Sequence, residues 1–318
     1  MDDTIDRDPA PFKDRRKRLL VGGILLMLMG CGALLLGLGS AASVLMMQHL
    51  PETQQVSHLR PIQAIPGFLM YCGIGGVLLV LGFGSVLRRR WSRPLILIVS
   101  WGWLAMGFLT LFMAVAMVPV LQQSLPAEPG VGAVVYGCFG VTFGLFGIVV
   151  PAIFLVLYSP RDVAATLAAL DPETRWTDRI PTPLLGLVLW LGLTAGAMVP
   201  SCLYALLPVG GTFVTGPIAV AVYLVAGGIF VAVAVGLARR SRLAWWTGLA
   251  TIVVWGGWSA ATVPRIDFDE VMRHIGMAQQ PGVPDMGAMY HSPWFLGPMV
   301  LIWLGLVAYF LFARRYLR

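Results

Sequence analysis

At 318 residues with 58% hydrophobic and only 12% charged side chains, the chain carries too little polar surface for a water-soluble globule. Its formal net charge of +7 would point to nucleic acid in a soluble protein. Here the basic residues sort with membrane topology instead, so no nucleic-acid partner is expected and the bilayer itself is the first partner.

A helix needs roughly 20 apolar residues to cross a hydrocarbon core of about 30 Å. Runs of that kind occupy approximately 19–47, 66–87, 94–121, 132–158, 183–207, 214–238, 243–263 and 294–313, and none contains Asp, Glu, Lys, Arg or His. Backbone polar groups must be paired without water in lipid, so helices are expected throughout. The first run follows basic residues and precedes the small cluster at 39–43, yet it is far longer than a secretory apolar region and reads as a retained span. The fold expected is an all-α integral membrane protein of eight transmembrane helices. Its parts are a tail (1–18), a first half (19–158), a connector (159–182) and a second half (183–318).

With the N-terminus in the cytoplasm, alternating spans place 19 of the 22 Lys and Arg residues inside and leave only Arg60, Arg265 and Arg273 outside. That bias predicts both termini on the cytoplasmic side of a bacterial-type inner membrane. The halves also resemble one another. "SVLRRRWSR" (85–93) and "VGLARRSR" (235–242) each close a span on an arginine cluster and enter the next through Ser-Arg. The following spans end alike, in "AMVPV" (116–120) and "ATVPR" (261–265). Two tandem four-helix units of the same orientation are expected, related by a pseudo-two-fold along the membrane normal.

In the fourth span Gly137, Gly140, Gly144 and Gly147 fall on one helical face, with Gly140 and Gly144 in a GxxxG pair. Packing within the bundle is the first reading of this stripe, and a contact face for other membrane subunits the second. Pro119, Pro151 and Pro200 lie well inside spans, where proline removes a helix hydrogen bond and bends the chain. In the connector, Ser159 and Asp162 have capping-box spacing around Pro160. Val163, Leu167 and Leu170 then line one side of a short helix expected on the bilayer surface, with Trp176 as a headgroup anchor. Cys31, Cys72, Cys138 and Cys202 are scattered singly and read as small packing residues.

All four histidines, His49, His58, His274 and His291, fall on the expected outer side. A helix is expected from about 267, on which Asp267, Glu270 and His274 share one side while Phe268, Val271 or Met272, and Ile275 make an apolar face. With His291 they form a candidate metal site for zinc, or for copper if methionine joins. Solvated loop residues are the plainer reading, since no tight HxH or HxxxH pair occurs, and bis-histidine haem is disfavoured because no histidine lies within a span. Cofactors and catalytic residues stay unassigned. The only lysines, Lys13 and Lys17, lie before the first span, and no P-loop or HExxH motif occurs. With no ionisable residue inside a span, the usual carriers of proton relays are missing. The function expected is a non-catalytic accessory or scaffold subunit of a membrane complex. The alternatives are a permease for a neutral or lipophilic solute and an extracytoplasmic metal-dependent enzyme.

Overall fold

The computed structural model describes residues 14–47, 64–124, 131–267, 270–271 and 293–317. The first half contains α1 (Arg16–Met47), α2 (Ala64–Val86), α3 (Ser92–Ser124) and a fourth span made of α4 (Val131–Gly144), a π-helical turn (Leu145–Val149) and α5 (Val150–Tyr158). The connector holds α6 (Arg161–Leu170) and α7 (Trp176–Arg179). The second half contains α8 (Thr182–Tyr204), a hairpin of β1 (Leu206–Val209) and β2 (Thr212–Thr215), then α9 (Pro217–Ala238), α10 (Arg242–Thr262) and α11 (Pro293–Ala313). The protein is mostly helical. Among the described residues seven helices are long and apolar enough to cross a membrane, which makes it a multi-pass integral membrane protein.

The seventh apolar run, 243–263, forms α10, a helix of 21 residues. It is less uniformly apolar than the other seven, because Trp245, Trp246, Trp255 and Trp258 share it with Thr247, Thr251, Ser259 and three glycines. The fifth run, 183–207, is not helical to its end. Helix α8 stops at Tyr204, Ala205 turns left-handed (φ 46°), and Leu206 and Leu207 enter an antiparallel hairpin. Its two-residue turn is Gly210-Gly211, with φ of 59° and 103°, the mirror-image geometry that suits twisted hairpins and that glycine adopts without a Cβ clash.

Each half has a core toward the arginine-bearing end, that of the second half running on to Ala195 and Ile252, and a smaller cluster of Leu207, Ala219 and Tyr223 is buried with the hairpin at the opposite end. In the first half Leu19, Leu26, Leu81, Ile96, Phe154 and Tyr158 are buried together. In the second, Leu184, Leu187, Phe230, Leu237, Trp245 and Phe310 do the same. Leu95 of α3 packs against both clusters. Toward the opposite end most apolar side chains turn outward, as at Leu35, Leu36, Met106, Phe108, Leu193 and Val199. In lipid this is stable, because hydrocarbon tails solvate such faces as well as other side chains do.

Small residues decide how closely the helices approach. On α1, Gly23 and Gly30 recur one heptad apart and meet Gly82 and Gly75 of the antiparallel α2. A Cβ added to Gly23 would lie 2.8 Å from the Gly82 carbonyl, and one on Gly30 2.9 Å from that of Gly75. Gly107 of α3 touches Gly147 of the π turn so tightly that a Cβ on Gly107 would overlap the Gly147 carbonyl oxygen. Pro151 explains why that oxygen is turned outward. It stands four residues beyond Gly147 and has no N–H to give it, and the chain widens into the π turn just ahead of the proline.

The halves repeat several details. Helix α2 ends with Arg88 left-handed (φ 58°), closed by Arg89 N donating to Gly84 O at 2.8 Å and Arg88 N to Ser85 O at 2.9 Å. Helix α9 ends with Arg240 left-handed (φ 59°), closed by Ser241 N to Gly236 O at 2.9 Å and Arg240 N to Leu237 O at 2.8 Å. Both are Schellman closures with arginine where glycine usually stands. In each half, too, a tyrosine near the end of the last helix abuts a glycine one turn into the first. A Cβ on Gly22 would lie 2.6 Å from the Tyr158 hydroxyl, and one on Gly186 3.1 Å from that of Tyr309. Tyr309 Oη donates to Pro183 O at 2.9 Å, whereas Tyr158 reaches Leu19 O through Ser85, whose Oγ donates to that carbonyl at 2.9 Å.

Candidate functional site

The candidate metal ligands are only partly within the described residues. Asp267 and Glu270 are, and His274 and His291 lie outside them, as do His49 and His58. Asp267 Oδ1 accepts from Glu270 N at 3.3 Å, and Val271 N donates to Asp267 O at 3.2 Å. Asp267 thus serves as the N-cap of a helical turn, a role that uses the same three-residue spacing as a ligand pair. No group of three or more His, Cys, Asp or Glu side chains among the described residues converges on a common point. Next to this segment, the β1–β2 hairpin caps the end of the second half opposite its arginines. Tyr223 Oη donates to Leu206 O at 2.8 Å and Trp258 Nε1 to Pro208 O at 3.3 Å. Gly211 lies close enough to Arg265 that an added Cβ would be 3.0 Å from its carbonyl oxygen.

Of the glycine stripe, among the described residues, the structure brings Gly147 into contact with Gly107. Gly137, Gly140 and Gly144 have no neighbour where a Cβ would stand. The close glycine contacts of α1 with α2 were not read from the sequence. Their signal was present in the sequence as the heptad spacing of Gly23, Gly30 and Gly37. The four cysteines are free thiols, and Cys202 Sγ donates to Met198 O at 3.2 Å.

Polar chemistry concentrates at the arginine-bearing end. Helix α6 begins after Pro160, which is extended and stands just outside the helix, and no side chain caps it. The expected capping role of Asp162 is replaced by an ion pair with Arg15 at 3.2 Å. Val163 and Leu167 do face one way, but toward the first half's core, where both are buried. The apolar side expected on the bilayer surface is therefore closed against protein. Leu170 is half-buried and Trp176 exposed.

Three aspartates of the connector hold it to the first half. Besides Asp162, the buried Asp171 accepts from Arg90 N at 3.0 Å and lies 3.8 Å from Arg89 Nη1, and Asp178 lies 3.6 Å from Arg90 Nε. Arg93 reaches back to the carbonyls of Tyr158 and Ser159 at 3.0 and 3.2 Å. Arg240 of the second half donates to Arg179 O at 2.5 Å. Charge-assisted bonds of this sort are about twice as strong as neutral ones, so the connector acts as a clasp across the ends of the helices.

Within the spans, by contrast, hydroxyls fold back on their own helices. Thr110, Thr194, Ser201, Thr247 and Thr251 each donate to the carbonyl four residues earlier, at 2.8–3.1 Å. A hydroxyl bonded in this way presents little polarity to a passing solute. Indole N–H groups join α10 and α11 instead, Trp245 Nε1 to Phe310 O at 2.8 Å and Trp303 Nε1 to Ile252 O at 3.0 Å. No family model, no curated protein and no solved structure matches this chain.

Proposed function

We propose that this protein is a non-catalytic accessory or scaffold subunit of a bacterial cytoplasmic-membrane complex, with eight spans in two tandem four-helix halves. The observation that carries the functional reading is the pairing of self-satisfied hydroxyls with uncovered apolar faces. The spans offer other membrane subunits broad surfaces, such as Val141, Leu193 (74% exposed) and Leu301 (69%), but few polar groups to a substrate. The span that completes the eight is α10, seventh in chain order, whose 21 residues rise about 1.5 Å each and reach the roughly 30 Å that a crossing needs. The matched Schellman closures and tyrosine–glycine contacts support the duplication. The arginine distribution supports cytoplasmic termini.

Photo-crosslinking residues placed at Val141, Leu193 and Leu301, in cells producing the protein at its native level, test this reading. The expected result is a crosslink to another polypeptide from at least one site, with the same polypeptide co-isolated in mild detergent. Crosslinks to lipid alone, with a single chain isolated, contradict it.

A permease for a neutral or lipophilic solute is the second reading. It is favoured by the first half, whose buried cluster lies toward the arginine-bearing end and leaves side chains such as Leu35, Leu36 and Phe108 uncovered farther along the spans. Solute flux through vesicles containing the purified chain alone would favour it over the scaffold.

A further inference from the structure

The two halves pack alike at the arginine-bearing end but differ in how their charge is balanced. Asp162, Asp171 and Asp178 all serve the first half, and Asp14 pairs with Arg16. Among the described residues no carboxylate pairs with Arg239, Arg242, Arg314 or Arg315 of the second half. Two of these guanidinium groups are held by rings instead. Arg314 lies over Trp245 and Trp246, 5.5 and 5.7 Å from their centroids. Arg315 lies 3.6 Å from the Phe312 centroid and donates from Nη2 to Tyr316 Oη at 2.8 Å.

A ring face attracts a guanidinium and fixes its position, yet it removes none of its formal charge. Immediately beside these arginines the surface is apolar and uncovered, with Leu243 76% and Trp246 55% exposed and Leu311 and Phe312 exposed as well. Fixed positive charge at the end of a span, bordered by aromatic and aliphatic surface, matches a lipid with an anionic headgroup and two acyl chains.

We propose that this arginine–aromatic cluster is a binding site for an anionic phospholipid. Arg314 and Arg315 take the phosphodiester, Arg242 lies on the same end of the adjoining helix, and Leu243 and Trp246 contact the chains. The connector's aspartates offset Arg15, Arg89 and Arg90 of the first half, whereas Arg314 and Arg315 keep their full charge beside the apolar surface.

The test uses the full chain in a neutral detergent, with binding followed by native mass spectrometry and by the thermal unfolding midpoint. The probes are phosphatidylglycerol, phosphatidylcholine and soluble glycerol phosphate. Phosphatidylglycerol is expected to bind and raise the midpoint, while phosphatidylcholine and glycerol phosphate leave it unchanged. Arg314→Gln with Arg315→Gln is expected to weaken phosphatidylglycerol binding about tenfold or more, since each surface arginine contributes to attraction by an anionic leaflet. Arg161→Gln, on the exposed start of α6, leaves binding as it was. Because the double variant alters the last turn, Arg242→Gln and the charge-preserving Arg314→Lys with Arg315→Lys accompany it. The first of these weakens binding and the second retains the preference for phosphatidylglycerol. Equal binding of the two lipids, equal affinity in the wild type and the glutamine variants, or glycerol phosphate binding as tightly as lipid would overturn the proposal.

Discussion

Trp245→Ala is expected to destabilise the second half by about 3 kcal/mol, the low end of the range for removing a buried tryptophan. Trp245 is 1% exposed, and its indole N–H donates to Phe310 O, so one side chain fills the core and joins α10 to α11. In a soluble protein the loss would include transfer of the ring out of water. Between helices in lipid that part largely disappears, and the cost falls on lost dispersion contacts, the cavity and the orphaned carbonyl. Trp246→Ala, next in sequence but 55% exposed, should cost well under half as much. Unfolding of both variants in mixed micelles, followed by circular dichroism, checks the ranking. Equal losses would mean that the α10–α11 contact is not built on Trp245.

The second large effect reverses the usual helix preference. Alanine in place of glycine stabilises an exposed helix position by about 1 kcal/mol. At Gly107 the added methyl would overlap the Gly147 carbonyl oxygen, which is backbone and cannot rotate away. Helix α3 must then separate from the π turn, and Gly107→Ala is expected to destabilise by about 1–3 kcal/mol despite the propensity gain. Gly140→Ala, where the methyl meets nothing, is expected to be neutral or stabilising by up to about 1 kcal/mol. The same unfolding measurement decides it, since only Gly107→Ala should lower the midpoint. A loss at Gly140 matching that at Gly107 would show the stripe covered by a partner.

The glycine stripe illustrates what a sequence of this kind withholds. Periodicity places Gly137, Gly140, Gly144 and Gly147 on one face, but which helix comes near that face is a nonlocal fact. Among the described residues Gly147 alone of the four meets another helix, at the point where Pro151 leaves its carbonyl without the usual donor. The connector shows the same limit. Val163 and Leu167 were legible as one apolar side of a short helix, while lipid and the first half's core are equally good ways to cover it. What selected the core was charge, through Arg15, Arg89 and Arg90 drawing in Asp162, Asp171 and Asp178.

Span positions were readable because a long apolar run in lipid has one economical form. The error at the end of the fifth run arose where that argument lapses. Leu206 and Leu207 continue the apolar run, yet a short apolar stretch does not distinguish helix from strand. Gly210-Gly211 carried the hairpin signal. At Asp267 and Glu270 the spacing suits both a ligand pair and an N-cap, and Asp267 Oδ1 accepts the Glu270 N–H as a cap does.

The arrangement of spans, the scaffold reading and the lipid site all depend on α10 crossing the membrane. Single cysteines at Arg18, Arg239, Asp267 and Arg315, in a chain whose four native cysteines are replaced by alanine, test this with a membrane-impermeant thiol reagent on intact cells and inverted vesicles. The predicted result is labelling of positions 18, 239 and 315 from the cytoplasmic face and of position 267 from the opposite face. Labelling of 239 and 267 from the same face would contradict it, leaving α10 on the membrane surface and the two halves with different topologies.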